Sequence, residues 1–191
     1  MNDEPTQIPA TVRRLHARTA EIGFAMACDN RTGALLRTLA ASKPAGRILE
    51  LGTGTGVGSA WLLAGMSPGA RLVTVEREAD LARIVHQELG EDDRLEVVTS
   101  DADAWIAAYP GPGIDLVFVD CRPGKFHARS ALLNHLHSGG LYLADDLLPQ
   151  PSWPEDHQAR VDSFLTEIHD HTNLQVTLLT WSSGLVLAAR M

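Results

Sequence analysis

Residues Arg47 to Ser59 read RILELGTGTGVGS: an apolar run, an acid at Glu50, then glycine at every second position, Gly52, Gly54 and Gly56. An apolar run that stops at clustered glycines predicts a buried strand, a tight turn and the opening of a helix. Glycine reaches positive φ without steric cost, and without a Cβ it lets backbone N–H groups approach a ligand closely. A strand, a glycine turn and a helix N-terminus in this order suit a nucleotide. The dinucleotide fingerprint G-x-G-x-x-G/A needs a small third residue five positions after the first; Val57 or Ser59 stands there, and neither meets it. A carboxylate below the turn, Glu50, suits a ligand with a free ammonium better than one with a pyrophosphate.

Composition narrows the classes further. A chain of 191 residues, 45% hydrophobic and 21% charged, is expected to form one globular domain, with leading helices over 1–45 and an α/β core over 46–191. The formal charge of −8 argues against a nucleic-acid partner, which needs concentrated Lys and Arg, and favours a small-molecule substrate. Cys28 and Cys121 lack metal-type spacing, and neither an apolar leader nor a membrane-length apolar run is present, so a cytoplasmic protein with reduced thiols and no membrane contact is expected.

Apolar spacing predicts helices over Thr11 to Met26 and Thr32 to Ala41, then alternation: strand Arg47 to Leu51, helix Val57 to Gly65, strand Arg71 to Val75, helix Ala79 to Leu89, strand Leu95 to Thr99, helix Ala102 to Tyr109. Strand Ile114 to Val119, a helix from Phe126 to His137 and strand Gly140 to Ala144 follow. Such repetition predicts a doubly wound, mostly parallel sheet with helices on both faces. After a helix over Glu155 to His171, the runs Leu174 to Trp181 and Leu185 to Ala189 are joined only by Ser182-Ser183-Gly184, which demands a hairpin and therefore an antiparallel strand.

In doubly wound sheets ligands sit at the carboxyl ends of the strands. Every such end here carries an acid: Glu50, Glu76, Asp101, Asp120, and the pair Asp145-Asp146. Glu76 follows Gly56 by 20 residues, where a carboxylate can accept both hydroxyls of a ribose. Three carboxylates converging in a partly dry cleft repel unless one is protonated or a cation lies among them, and oxygen ligands select Mg²⁺, Mn²⁺ or Ca²⁺.

The pattern E-x-G-x-G-x-G resembles the first motif of S-adenosylmethionine-dependent methyltransferases of the Rossmann-like class. The segments ILELGTGTGVGS, LVTVERE, VVTSDADAW, IDLVFVDCRPGKF and SGGLYLADDLL are similar to the catechol and caffeoyl-CoA O-methyltransferase group. The resemblance implies a seven-stranded sheet with an antiparallel C-terminal strand, and O-methylation of a small hydroxylated, aromatic acceptor, with or without a divalent metal. It places S-adenosylmethionine against Glu50, Gly52, Thr53, Gly54, Gly56, Ser59, Glu76, Arg77, Asp101, Ala102 and Asp120. It places a metal between Asp120, Asp145 and Asp146, with Lys125 and Asp120 acting on the acceptor.

The chain departs from that group at several points. Pro123 stands where the group has its lysine; Lys125, two residues on, either reaches the site through the turn Arg122-Pro123-Gly124 or stands in solvent. Asp146 replaces an asparagine, and either tightens a divalent ion or caps a helix. Gly58 replaces the serine that holds the cofactor carboxylate, a role open to Ser59 or to backbone amides alone. His16, His127, Trp153 in the loop Leu148 to Pro154, Trp181 and Cys121 are weaker candidates. The alternatives are a metal-independent N- or O-methyltransferase and a non-catalytic cofactor-binding subunit, and the apolar faces of the leading helices suggest a homodimer.

Overall fold

The computed structural model describes residues 2–150 and 153–191, so Pro151 and Ser152 of the expected lid loop lie outside the described residues. Two helices lead, α1 (Ala10–Glu21) and α2 (Asn30–Ala41), followed by β1 (Arg47–Leu51), α3 (Val57–Gly65), β2 (Arg71–Glu76), α4 (Ala79–Leu89) and β3 (Leu95–Thr99). Then come α5 (Ala102–Ala108), β4 (Ile114–Val119), α6 (Arg129–Asn134), β5 (Leu136–Ala144), α7 (His157–His169), β6 (Leu174–Leu179) and β7 (Leu185–Arg190).

Among the described residues the strands form one sheet in the order β3-β2-β1-β4-β5-β7-β6. Strands β1 to β5 run parallel, and β7 lies antiparallel between β5 and β6. This is the expected sheet, closed by the expected hairpin. Leu116 to Val119 of β4 are all buried, as a parallel strand covered on both faces requires. Alternate side chains feed two cores: Ile48 and Phe118 pack with α1 to α4, whereas Leu49, Val117 and Val119 pack with α5 to α7. The order reverses between β1 and β4, so their carboxyl ends frame a crevice at the switch point.

Four expected elements have boundaries that give way to tertiary constraints. Helix α1 stops at Glu21, because Gly23 takes φ +67° and turns the chain across the top of the sheet. The helix expected over Phe126 to His137 shrinks to α6: Ala128 at φ +53° breaks it at one end, and β5 claims Leu136 at the other by pairing with Ile114. The backbone hydrogen bonds that the start of β4 requires override the helical spacing there, with Ile114 N–H donating to the His135 carbonyl at 2.7 Å. Helix α7 is shorter than Glu155 to His171 at both ends, and β6 stops at Leu179 before Trp181.

The leading helices spend their apolar faces inside the molecule. Val12 and Leu15 of α1 and Leu36 and Ala40 of α2 are buried in the core beside α3. Gly33 lets α2 approach α3, since a Cβ there would fall within the ring of Trp61. The faces on which self-association was expected to rest are therefore covered by the chain itself. Among the described residues no helix is long and apolar enough to cross a membrane.

Candidate active site

The glycine turn after β1 holds the positive φ values its sequence predicts: +88° at Gly52, +55° at Gly54 and +91° at Gly56. At Gly52 the demand is double. Besides the left-handed backbone, a Cβ there would lie 2.6 Å from the carbonyl oxygen of Asp120, so only glycine lets the turn touch the end of β4. The threonines between the glycines pin the turn from below: Thr53 Oγ1 lies 2.6 Å from Thr74 Oγ1, and Thr55 Oγ1 lies 2.7 Å from Thr19 Oγ1 on α1.

Glu50 lies beneath this turn, buried, and its carboxylate accepts from the Ser59 hydroxyl and, at 2.6 Å, from Thr74 Oγ1. Burial pushes its carboxyl up to about 7, partly offset by those two donors. Two sequence features are explained together. Ser59 is committed to Glu50 from inside the core, and a Cβ on Gly58 would run into the same carboxylate, so the chain's glycine in place of serine makes room for Glu50.

Glu76 ends β2 at the rim of the turn, with Oε2 accepting from Gly54 N–H at 2.8 Å and Oε1 from Glu78 N–H at 2.9 Å. Both oxygens keep lone pairs for a ribose diol. Asp101 caps α5 through the N–H groups of Asp103 and Ala104, and the following Ala102 is buried. Arg77 is exposed and pairs with Glu78 at 3.0 Å. One element escaped sequence reasoning: the connection from α1 to α2 lies over the turn, and the Phe24 ring sits where a Cβ of Gly54 would meet it at 3.1 Å. Positive φ at Gly23 aims that connection, and nothing local to Phe24 announces it.

Across the switch point lies the acid group. Asp120 follows β4, with its N–H bonded to the Leu51 carbonyl at 2.8 Å. Burial, and then the charges of Asp145 and Asp146, push its carboxyl well above the ordinary range, while the Lys125 ammonium pulls it back. Asp145 is buried and accepts from the Ser183 hydroxyl and from Asp146 N–H at 2.7 Å; burial and the Asp146 charge lift it to about 6. Asp146 takes φ +61° directly after it. The Ser183 contact comes from the β6–β7 turn, 38 residues away in sequence, and the same turn accepts Leu148 N–H at 2.8 Å through the Ser183 carbonyl.

Lys125 does not stand in solvent. It is 2% exposed, and Nζ donates to the Asp145 carbonyl at 2.6 Å. The shortened helix leaves its place to a turn in which Lys125 and Phe126 both donate to the Arg122 carbonyl, and Gly124 at φ +79° bends the chain inward. His157, unforeseen, packs between Trp153 and Phe126 at ring distances of 4.1 and 5.3 Å, beside this group. Cys121 is a half-buried thiol that desolvation pushes up to about 12, which makes it an inert neighbour. His127 pairs with Asp103 at 2.9 Å, His16 with Asn30 at 2.8 Å, and Trp181 donates to Asp3.

The acids do not present a cation cage. Among the described residues no group of three or more His, Cys, Asp and Glu side chains is arranged to hold a metal ion. Asp145 faces Ser183 and its own neighbour's amide, and the positive charge that acts on the acids is Lys125. The arrangement as it stands does not fit the divalent ion implied by the resemblance.

A doubly wound sheet with an antiparallel β7, a glycine turn at the switch point and acids ending successive strands defines the Rossmann-like methyltransferase class. The chain belongs to the family described as "Methyltransferase domain", which matches residues 49–147. A catechol O-methyltransferase of Mycobacterium tuberculosis is 36% identical over 115 residues, which is 59% of this chain and 52% of that one. The chain thus spans about half the length of the curated relatives it matches. Among solved structures, the O-methyltransferase TomG of Streptomyces achromogenes, in complex with S-adenosylmethionine, superposes with a TM-score of 0.84 at 25% identity, covering 97% of this chain and 91% of that one. An O-methyltransferase of Bacillus cereus in complex with S-adenosylhomocysteine gives 0.84 at 21% identity over 97% and 93%, a likeness of fold.

Proposed function

We propose that this chain is an S-adenosylmethionine-dependent O-methyltransferase of the cytosol, acting on a small hydroxylated aromatic acceptor. The observation that carries the reading is the contact at the switch point, where Gly52 lets the cofactor turn touch Asp120. One side of that contact offers what the donor needs: glycine amides, Glu76 for the ribose, and Glu50 below as a counter-charge for the cation. Ala102 at the opening of α5 is the candidate wall for the adenine. The other side, Asp120 with Lys125, offers what an acceptor hydroxyl needs. The names of the relatives and the S-adenosylmethionine bound by TomG support both halves.

The reaction asks little covalent chemistry of the protein. The acceptor oxygen attacks the sulfonium methyl in line; the new bond is O–CH₃, the S–CH₃ pair stays on sulfur as a thioether, and the hydroxyl proton must leave. Asp120, whose carboxyl is raised by burial and neighbouring acids, takes that proton, and the Lys125 ammonium faces the developing oxyanion. Positioning supplies the remaining rate. Incubation with S-adenosylmethionine labelled in its methyl group and a panel of catechols, phenols and aliphatic alcohols tests the reading. Label is expected in an aromatic ether; transfer to none of the panel, with cofactor bound, would sink it in favour of a silent binding subunit.

A further inference from the structure

Resting on that reading and deepening it, we propose that the Lys125 ammonium is the resident cation of the acid group and takes the place of a divalent metal, so that methyl transfer is metal-independent.

Three observations carry this. First, the ammonium lies against the group: Lys125 is 2% exposed, Nζ donates to the Asp145 backbone carbonyl at 2.6 Å, and its positive charge acts on both Asp120 and Asp145. Acids that converge in a dry cleft need a cation among them, and one is built in. Second, Asp145 is spoken for. Its carboxylate accepts the Ser183 hydroxyl and the Asp146 amide, which turns it toward the protein. Third, the turn that delivers Lys125 is constructed for the purpose. Pro123 opens it, Gly124 at φ +79° packs where a Cβ would lie 2.8 Å from Leu132 Cδ2, Tyr142 donates to the Gly124 carbonyl at 2.8 Å, and the Phe126 ring lies 5.4 Å from the ammonium.

The remaining valence of Lys125 gives the cation its use. An ammonium has three donors, and among the described residues Nζ makes one hydrogen bond, to Asp145. Two donors are left for the oxygen of an acceptor, the work a metal does in binding an oxyanion. The class of acceptor follows. An ammonium, unlike a chelated metal, does not require two adjacent oxygens, so a single phenolic hydroxyl serves as well as a catechol.

Mn²⁺ uptake, read as loss of the free-ion electron paramagnetic resonance signal with and without S-adenosylmethionine, tests the proposal without turnover. Wild-type protein is expected to leave the signal intact, and Lys125→Gln, checked for cofactor binding, to take up one equivalent. One equivalent bound by wild type and lost in Asp145→Asn overturns the proposal, as does a cofactor-competent Lys125→Gln that takes up none. Because the readout is ion binding, a failure here leaves the methyl-transfer reading standing, and an inactive protein with these ion results leaves the cation assignment standing.

Discussion

The two sides of the switch point are built by opposite means. On the cofactor side the chain relies on backbone conformation and neutral hydrogen bonds: glycines at positive φ, threonine pairs beneath them, and a buried glutamate answered by two hydroxyls. On the acceptor side it relies on charge: two buried or half-buried aspartates, a third beside them and a buried lysine. A site made from backbone tolerates little change of shape but has a fixed affinity, whereas a site made from charges responds to whatever cation is put among them. The contrast predicts that substitutions on the first side are read as stability and cofactor affinity, and on the second as turnover.

The sharpest way to break the contrast is Gly52→Ala. It forces an L-residue to φ +88° and places a methyl 2.6 Å from the Asp120 carbonyl. A loss of about 3 kcal/mol is expected, seen as a melting temperature lower by about 6–12 °C. A variant that melts with wild type would show that the two strand ends are not in forced contact.

Acid titration of Glu50 should have a comparable size and a definite sign. Its folded carboxyl, at about 7, is raised above the ordinary 4.5, so its favourable contribution is complete below 4.5 and lost as pH rises through 7. Urea denaturation is expected to show unfolding free energy falling by about 3 kcal/mol across that window in the cofactor-free protein, and Glu50→Gln to flatten the slope. An unchanged slope in Glu50→Gln would place the titration elsewhere.

On the charged side, Ser183→Ala removes one donor from the Asp145 carboxylate. Loss of one such bond is worth about 1.5 kcal/mol, so kcat/KM should fall about tenfold, with cofactor affinity unchanged and Ser183→Thr restoring most of it. An equal loss of cofactor affinity would mean that the two sides are not separable.

How far each side can be read from sequence follows from the same difference. The cofactor side is written within ten consecutive residues, because a glycine's φ and a strand's apolar run are local properties, and Glu76 is reached by one βα unit; the strands and the closing hairpin are legible for the same reason. The acceptor side depends on contacts far apart in the chain. Asp120, Asp145 and Lys125 were visible as residue types, but Ser183 reaches Asp145 across 38 positions, and the inward course of Lys125 depends on the expected helix being broken at Ala128. Competition between helical spacing and strand pairing at Leu136 is settled by the neighbouring strand, which the local sequence does not contain. Glu50 and Ser59 were legible as part of the motif, and their mutual hydrogen bond was not, because it depends on Gly58 leaving the space open.

The most direct test is calorimetric titration of S-adenosylmethionine into wild type, Glu76→Gln and Arg77→Ala. Glu76 holds the turn through Oε2 and its own following backbone through Oε1, and Arg77, next in sequence, points to solvent. One site per chain is expected, weakened about 10- to 100-fold in Glu76→Gln by the loss of charge-assisted hydrogen bonds, and unchanged in Arg77→Ala. Equal affinity in wild type and Glu76→Gln, or no binding at all, would contradict the account.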